Sequence, residues 1–309
     1  MLVAAVKSVA RLRIPAHVRV RVLIVENDTA PTFDRQGVEG FFGNERNDMD
    51  IDHVFRPEIG IAMARNAALE YARQARFDWL AFIDDDETVD HGWLERILLA
   101  AEEGGFVLTG GPVKPVASHR PSRVVDRLIW GGYERQRRRH LLRAGRASRA
   151  GRGDRITIIT NNWLFDLNAP ETGDIRFDRR FDLTGGEDTD FYRRAKQRGA
   201  KSGWAPAAIA YETIPAERLT IGYQFRRAAN QNAVRLREKT AGRSLPTRAL
   251  IIAMRCSIDT LAALLHAALL LPTLGRTFYG AVRYFGAAVG DLASLGKPRR
   301  GFYSQVTEG

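Results

Sequence analysis

Three consecutive aspartates, Asp84, Asp85 and Asp86, follow directly on an apolar run of strand length at residues 79–83. Ionised carboxylates at the end of a buried strand cannot belong to the core, because burying unpaired charge is costly. They also repel one another, and a bound cation relieves that repulsion. Hard oxygen ligands in this position suit Mg²⁺ or Mn²⁺, with phosphate oxygens completing the coordination shell. The alternative interpretation is an acidic strand-to-helix loop whose carboxylates only cap the next helix.

A second acidic pair, Glu187 and Asp188, follows Gly185 and Gly186 at the start of a predicted helix. Adjacent glycines let the backbone approach a ligand closely. Acidic residues in a first helical turn are often no more than partners of the helix dipole. A carboxylate placed after a glycine turn is also what a transferase needs as its general base. The residues alone leave both interpretations open.

The elements that must position these clusters alternate between strand and helix. Predicted strands at residues 19–25, 51–55 and 106–109 flank helices that begin after Gly60 and Gly92. This alternation predicts an α/β fold with a largely parallel sheet. Polar residues near the ends of such strands lie where open α/β sheets bind ligands. The further candidates are Glu26 and Asp28 after the first strand, Arg65 and Asn66 on the first of these helices, and Asn161 and Asn162 within a predicted strand at residues 156–165.

Residues 133–155 are dense in arginine and interrupted by glycine, with little apolar periodicity. This composition predicts a solvated loop. The alternative is a lid or groove that collects phosphate or lipid headgroups.

The composition changes again beyond Pro215, where a basic helix is predicted at residues 216–239. An apolar stretch follows, interrupted by Arg255, Asp259 and His266 and cut by Pro272. A membrane-spanning helix needs about 20 consecutive apolar residues with few or no charges. We therefore predict a helical hairpin that lies in or dips into the membrane interface. Helices packed on the surface of the catalytic domain are the alternative.

Composition limits the remaining possibilities. The formal net charge of +11 and the isoelectric point near 10.2 indicate an anionic partner, which nucleic acid, anionic lipid and sugar nucleotide all satisfy. The single cysteine, Cys256, excludes an intramolecular disulfide. Lys7, Arg11 and Arg13 interrupt the first apolar residues, so we expect no signal peptide and a cytoplasmic location.

Five segments, in this order and at this spacing, resemble the inverting family-two glycosyltransferases of the GT-A fold. They read IVENDT, GIAMARNAALEYA, LAFIDDDETVDHGWL, TNNWLF and FDLTGGEDTDFYRRAKQRG. The later segment YETIPAERLTIGYQFRRA resembles the exopolysaccharide branch of the family, whose members extend lipid-linked repeat units such as those of succinoglycan.

The resemblance implies a GT-A (Rossmann-like) fold, with a mixed, mostly parallel sheet flanked by helices. We place the catalytic domain at residues 1–215 and a helical, membrane-associated region at residues 216–309. The family normally opens with one further strand, so we expect either that the true start lies upstream of Met1 or that this copy is truncated at its N-terminus.

The family's residue roles carry over by position. Asp188 would be the catalytic base, with Glu187 supporting it or binding the acceptor. Asp86, together with Asp84, would hold Mg²⁺ or Mn²⁺. Nucleotide-sugar contacts would come from Glu26, Asp28, Arg65, Asn66, Asp84 and Asp85, and the wall of the donor or acceptor site from Trp93, Asn162, Gly185 and Gly186.

The implied activity is inverting transfer of a hexose from a nucleotide sugar, expected to be UDP-linked, to a lipid-linked or polysaccharide acceptor. The expected location is the cytoplasmic face of the inner membrane, in a peripheral or monotopic arrangement. A nucleotidyltransferase of related fold is an alternative, although no glycine-rich loop with a phosphate-binding lysine lies near the start. A nucleic-acid-binding protein is another, although aromatic residues are not interleaved with the arginines and we expect no nucleic acid partner.

Overall fold

The computed structural model describes residues 1–42, 49–158 and 160–296, and the chain divides into two compact units. The first unit, which we call the α/β unit, comprises Met1–Val116, Arg139–Asp182 and Gly186–Thr213. The second, the helical unit, comprises Ala117–Arg138, Leu183–Gly185 and Ile214–Gly309. The domain boundary after residue 215 stays a prediction.

The elements follow one another in largely alternating order. The strands are β1 (Arg21–Asn27), β2 (Asp50–Arg56), β3 (Trp79–Ile83), β4 (Glu87–Val89), β5 (Leu108–Gly110), β6 (Val113–Ala117), β7 (Asn162–Asp166), β8 (Ser202–Trp204) and β9 (Ala210–Ile214). The α-helices are α1 (Leu2–Ala10), α2 (Arg35–Glu39), α3 (Ile61–Gln74), α4 (Trp93–Gly104), α5 (Val124–Arg149), α6 (Glu187–Gln197), α7 (Ile221–Thr240), α8 (Leu245–Ala268) and α9 (Phe278–Ala293).

The strands form three hydrogen-bonded groups within the described residues. β1 pairs with β2, the order β3-β7-β5-β8 forms a second sheet, and β4-β9-β6 forms a third. The predicted α/β class, with helices flanking a mixed sheet, is confirmed. The expectation of a mostly parallel sheet is wrong, because β7 runs antiparallel to both of its neighbours and β9 runs antiparallel to β4.

An aromatic core holds β3 and β7 in place. Trp163, Phe165, Phe177 and Phe191 are each at most 2% exposed, and their rings contact one another with centroids 4.5–6.3 Å apart. Phe82 on β3 joins them through Trp163 at 5.9 Å. Burying a large apolar side chain contributes about 1.5–3 kcal/mol, so this cluster fixes the strand that leads to the aspartates.

The arginine-rich segment is helical, so the predicted loop at residues 133–155 is wrong for most of its length. α5 continues to Arg149, since arginine is a good helix former and single glycines only weaken a helix. Gly132 also has a packing role. A Cβ at this position would lie 2.1 Å from Cβ of Tyr279, so α5 and α9 can approach closely only with glycine here.

Two strand predictions also need correction. Of the strand predicted at residues 156–165, Ile159 lies outside the described residues and the observed strand β7 begins at Asn162, so the two asparagines lie at its start and not in its middle. Residues 203–212, predicted as one strand, contain the end of β8 and the start of β9, with Pro206 between them. Proline lacks the backbone donor that a continuous ladder requires.

The helical unit is built by close packing of α7 and α9. A Cβ at Gly286 would lie 2.5 Å from the carbonyl oxygen of Phe225, and one at Gly290 would lie 2.2 Å from that of Ala229. These glycines therefore let the two backbones touch. A small core of Ile129, Tyr133, Ile214, Leu219, Tyr279 and Val282 completes the packing.

The predicted hairpin is present as α8 and α9. Among the described residues, Leu245–Ala268 is the helix that is long and apolar enough to cross a membrane by length and composition. Only 17% of the most apolar 18-residue stretch of this helix is buried within the protein. Exposed leucines line α8, including Leu250, Leu261 and Leu265 at 62%, 69% and 57% exposure.

Candidate active site

The three aspartates form the turn between β3 and β4, and this turn is held at both ends. Ile83 pairs with Asn162 across β3 and β7, and Glu87 pairs with Glu212 across β4 and β9. The amide of Thr213 donates to the carbonyl oxygen of Asp86 at 2.8 Å. Asp84 is half-buried, Asp85 is exposed and Asp86 is buried.

Arg65 on α3 connects the aspartate turn to α6. Its Nη2 donates to Oδ1 of Asp84 at 3.4 Å, and its Nη1 donates to Oε1 of Glu187. Glu187 is 2% exposed, so its carboxylate is neutralised inside the protein by this guanidinium. The structure thus brings together three side chains that the sequence separates widely.

Glu87 extends the cluster and was not among the predicted site residues. Its Oε2 accepts from the amide of Asp84 at 3.1 Å, and its Oε1 accepts from Nδ2 of Asn161 at 3.0 Å. Burial, followed by the charge of Asp84, raises the pKa of Glu87 to about 10, so this carboxyl is protonated at neutral pH. The sequence feature that could have identified Glu87 as a site residue was its position directly after the three aspartates.

Negative charge exceeds positive charge around Asp84. Burial is the main reason that the pKa of Asp84 is raised, and the charges of Asp85, Glu212 and Asp188 raise it further. Arg65 opposes the rise. The cluster therefore has a deficit of positive charge next to its half-buried aspartate.

The glycine turn presents the acidic pair in two different environments. Gly185 has φ of 72° and Gly186 has φ of 103°, both in the left-handed region that favours glycine. In the first turn of α6, Glu187 is directed into its ion pair with Arg65, whereas Asp188 stays half-buried. Oδ1 of Asp188 accepts from the amide of Thr189 at 2.6 Å.

Two acceptor atoms in the carboxylate cluster are of a kind that divalent cations bind. Oε2 of Glu187 and Oδ1 of Asn161 are buried acceptors for which the described residues provide no hydrogen-bond donor. In the described ranges no group of three or more acidic, histidine or cysteine side chains could hold a metal by itself. A cation bound here would therefore be held by one or two carboxylates and complete its shell with substrate oxygens.

Glu26 and Asp28 lie at the end of β1. The Glu26 carboxylate accepts from the amides of Thr32 and Phe33 and contacts Nε2 of His53 at 2.9 Å. Burial opposes its ionisation, but the hydrogen bonds from Thr32 and His53 hold the pKa of Glu26 below its usual range. Asp28 is exposed. The nucleotide-binding role of both carboxylates stays a prediction.

Asn27, between them, was not among the predicted site residues. Its Nδ2 donates to the carbonyl oxygens of Arg56 and Glu58, and its Oδ1 accepts from the amide of Gly60 at 2.7 Å. A Cβ at Gly60 would lie 2.4 Å from Cγ of Asp182, so glycine is required by close approach. Asn27 thereby ties the end of β1 to the start of α3, which carries Arg65.

Three of the predicted site residues have structural partners. Asn66 exchanges two hydrogen bonds of 2.8 Å with the backbone of Phe177. Nε1 of Trp93 donates to Oδ1 of Asn162 at 2.8 Å, and Nδ2 of Asn162 donates to two backbone carbonyls. Trp93 and Asn162 are 3% and 2% exposed and lie in the core. Asn161 is the amide that reaches the carboxylate cluster instead.

The α/β architecture and the carboxylates gathered at the end of β3 are the arrangement expected of an enzyme that uses acidic side chains. The sequence profile described as "Glycosyl transferase family 2" matches residues 1–159. The chain therefore belongs to glycosyl transferase family 2, and it is a glycosyltransferase. This confirms the family and the enzyme class that the sequence motifs predicted.

The chain is similar to the succinoglycan biosynthesis protein ExoM of Rhizobium meliloti (strain 1021). It is 30% identical over 236 residues, which cover 73% of this chain and 67% of ExoM. A structure of S. aureus TarS residues 1–349 with UDP gives a TM-score of 0.46 at 14% identity, covering 96% of this chain and 89% of that one. A longer structure of S. aureus TarS gives a TM-score of 0.46 at 13% identity, and the match covers 93% of this chain and 52% of that one. TM-scores at this level do not establish a shared fold.

Proposed function

We propose that this protein transfers a hexose with inversion from a nucleotide sugar, with UDP as the nucleotide, to a lipid-linked or polysaccharide acceptor in exopolysaccharide synthesis. The observation that carries the proposal is the contrast within the acidic pair of α6. Glu187 forms an ion pair with Arg65, whereas Asp188 is half-buried and its charge raises the pKa of Asp84. One carboxylate is thus available at the edge of a cluster in which negative charge exceeds the positive charge of Arg65.

In this proposal Asp188 takes the proton of the acceptor hydroxyl while that oxygen attacks the anomeric carbon. The bond from the anomeric carbon to the nucleotide diphosphate breaks on the opposite face, so the configuration inverts. A positioned base typically contributes about 10²–10⁴-fold to such a step. Arg65 pairs with the buried Glu187 and so orients the first turn of α6, which positions Asp188 for the acceptor.

Asp86 and Asp84 are the residues that would hold Mg²⁺ or Mn²⁺. Bound there, the cation would supply charge neutralisation for the leaving diphosphate. The excess of carboxylates around Asp84 and the unpartnered acceptor atoms of Glu187 and Asn161 support this assignment.

The proposed place of action is the cytoplasmic membrane surface. One support is the row of exposed leucines on α8. The other is the basic composition of α7, which contains one acidic residue, Glu238, and five basic ones: Arg226, Arg227, Arg235, Arg237 and Lys239. Apolar surface beside basic residues is the composition of interfacial helices.

The experiment that tests the proposal is a UDP titration of the purified full chain with and without Mn²⁺. We expect Asp86→Ala to abolish transfer and to weaken Mn²⁺-dependent UDP binding by at least about tenfold. Glu102→Ala, which removes an exposed acid from α4, is the matched control and should bind as wild type does. Transfer that persists in excess chelator, or an active Asp86→Ala variant, would exclude the metal role.

A further inference from the structure

The first turn of α3 receives its N-terminal cap from a residue that lies far away in the sequence. Gly60 precedes the helix and has no side chain that could accept a hydrogen bond. Oδ1 of Asp182 accepts from the amide of Met63 at 2.9 Å, and the carbonyl oxygen of Asp182 accepts from the amide of Ile61 at 3.1 Å. Two of the amides that open α3 thus find their acceptors on one residue, 119 positions after Met63.

The approach of Asp182 to α3 is so close that it requires glycine at position 60. A Cβ there would lie 2.4 Å from both Cγ and Oδ1 of Asp182. The φ of Gly60 is 167°, which other residues also adopt, so the requirement comes from space and not from backbone conformation. Oδ1 of Asn27 accepts from the amide of Gly60 at 2.7 Å and holds this point of the chain to β1.

The carboxylate of Asp182 is held from two sides. Its Oδ1 faces the amide of Met63, and its Oδ2 accepts from Nε of Arg179 at 3.2 Å. Nη2 of the same arginine donates to Oε2 of Glu58 at 2.8 Å, just before α3 begins. The side chain of Asp182 is only 13% exposed, so water competes little for these charge-assisted hydrogen bonds.

Asp178, four residues earlier, shows how an aspartate caps its own turn. Its Oδ1 accepts from the amide of Arg180 at 2.9 Å, and its Oδ2 accepts from Nε of the same residue at 2.8 Å. These contacts stay within one short segment. Asp182 differs because its carboxylate caps a helix from another part of the sequence, so its influence extends beyond its own turn.

The glycine turn begins after Asp182 and ends at Glu187, and α3 holds both of these residues. Asp182 bonds to the amides that open the helix, and Glu187 pairs with Arg65, about one turn further along. The four residues between them include the two glycines of positive φ. Glycine widens the range of backbone conformations, so a turn of this kind adopts a single conformation only when its ends are anchored.

We propose that Asp182 is a positioning residue for Asp188, the proposed base. Its bonds to α3 fix the point at which the glycine turn begins, and the ion pair of Arg65 with Glu187 fixes the point at which it ends. Asp188 follows directly, so its place depends on both anchors. A displacement of about 1 Å can lower a catalysed rate about 10²-fold. The effect on catalysis rests on the proposed function, whereas the ordering of α6 by Asp182 does not.

Hydrogen exchange on the full chain tests the ordering of α6 without any substrate. The amide of Asp190, which donates to the carbonyl oxygen of Gly186 at 3.0 Å, reports on the first turn of the helix. In Asp182→Ala we expect this amide to exchange at least about tenfold faster than in wild type, because one anchor of the preceding turn is lost. Asp182→Asn keeps an acceptor oxygen for Met63 and should retain most of the protection.

Asp178→Ala is the matched control, since it removes a capping aspartate from the same segment without touching α3. It should leave exchange at Asp190 as in wild type. Unchanged exchange in Asp182→Ala, or an equal increase in both alanine variants, would overturn the inference.

Steady-state kinetics test the effect on catalysis, at a temperature where thermal unfolding shows every variant to be folded. Asp182→Ala should lower kcat at least about tenfold and change the KM for the nucleotide sugar less than about twofold, because a misplaced base acts on the chemical step. Asp182→Asn should recover most of kcat, and Asp178→Ala should keep it. A loss of kcat that is equal in both alanine variants, or a loss confined to KM, would overturn the positioning role.

The two measurements separate this inference from the proposed function. A wild type that transfers no hexose would contradict the proposed function, and hydrogen exchange would still decide whether Asp182 orders α6. An active wild type whose Asp182→Ala variant exchanges faster in α6 but keeps its kcat would overturn the positioning role and leave the proposed function standing.

Discussion

Arg65 and Glu187 lie 122 residues apart in sequence and form an ion pair inside the α/β unit, where their side chains are 11% and 2% exposed. The pair joins α3 to the first turn of α6. A buried carboxylate that loses its guanidinium partner keeps its desolvation cost without compensation. The position of the proposed base, Asp188, thus depends on a residue from another part of the chain.

Arg65→Gln should reduce the free energy of unfolding by about 3–5 kcal/mol, because it leaves Glu187 buried and uncompensated. The double variant Arg65→Gln/Glu187→Gln should recover part of that loss. Arg198→Gln removes an exposed pair with Asp174 and should cost less than about 1 kcal/mol. Urea unfolding measures all three. If Arg65→Gln is as stable as Arg198→Gln, the stabilising role of the Arg65–Glu187 pair is contradicted.

Asp188→Asn should lower kcat steeply while the affinity for the nucleotide sugar stays nearly unchanged, because a base acts on the chemical step. Glu187→Gln should act mainly on the KM for the acceptor, or on the order of the first turn of α6. Steady-state kinetics on both variants, with donor and acceptor varied in turn, measure the difference. A larger loss of kcat in Glu187→Gln than in Asp188→Asn would reverse the assignment.

The exposed leucines of α8 should anchor the protein to membranes. Replacing Leu250, Leu261 and Leu265 by asparagine should move the protein from the membrane to the soluble fraction, since each buried side chain contributes about 1.5–3 kcal/mol. Leu142→Asn, at a leucine 48% exposed on α5, should leave fractionation unchanged.

Our proposal is that residues 246–295 lie on the membrane without crossing it. A reporter fused after Leu295 should therefore be found on the cytoplasmic side. A periplasmic reporter would show that the segment crosses the membrane, and unchanged sedimentation of the leucine variant would show that another surface makes the attachment.

Asp291 should make the helical unit less stable as the pH rises. It is fully buried, Nδ2 of Asn232 donates to its Oδ1 at 2.6 Å, and the same amide contacts Asp259. Burial first, and then the charge of Asp259, raise the pKa of Asp291 to about 6, whereas Arg255 and Arg235 oppose this. Since the folded pKa lies above the unfolded value of about 3.9, the protonated form is favoured by folding.

The stabilisation from protonated Asp291 is complete below about pH 4 and is lost as the pH rises through about 6. Asp291→Asn should therefore become more stable relative to wild type between about pH 5 and about pH 7.5, by about 1.4 kcal/mol. Glu217→Gln, at an exposed acid of the same unit, should show no such trend. Urea unfolding at both pH values measures this. Parallel pH profiles of wild type and Asp291→Asn would contradict the shift.

Elements with strong local signals were predictable from the sequence. β3 has the bounds predicted for it, because a short run of aromatic and branched residues between polar segments is favoured as a buried strand. The helices that begin at Ile61 and Trp93 follow glycines and have clear apolar periodicity. Segments without such periodicity were harder to predict from the sequence. The arginine-rich part of α5 is helical because packing at Gly132 adds to the helix propensity of its residues.

The amino-acid types and their order by themselves determined the α/β class, the aspartate turn after β3, the acidic pair after two glycines and the family. These are local features, set by residue type and spacing. Only the tertiary structure decided which partners those residues have. It brought Arg65 to Glu187 and Asn161 to Glu87, and it placed Trp93 and Asn162 in the core. The reason is physical, since burial and neighbouring charge depend on long-range packing that no local pattern encodes.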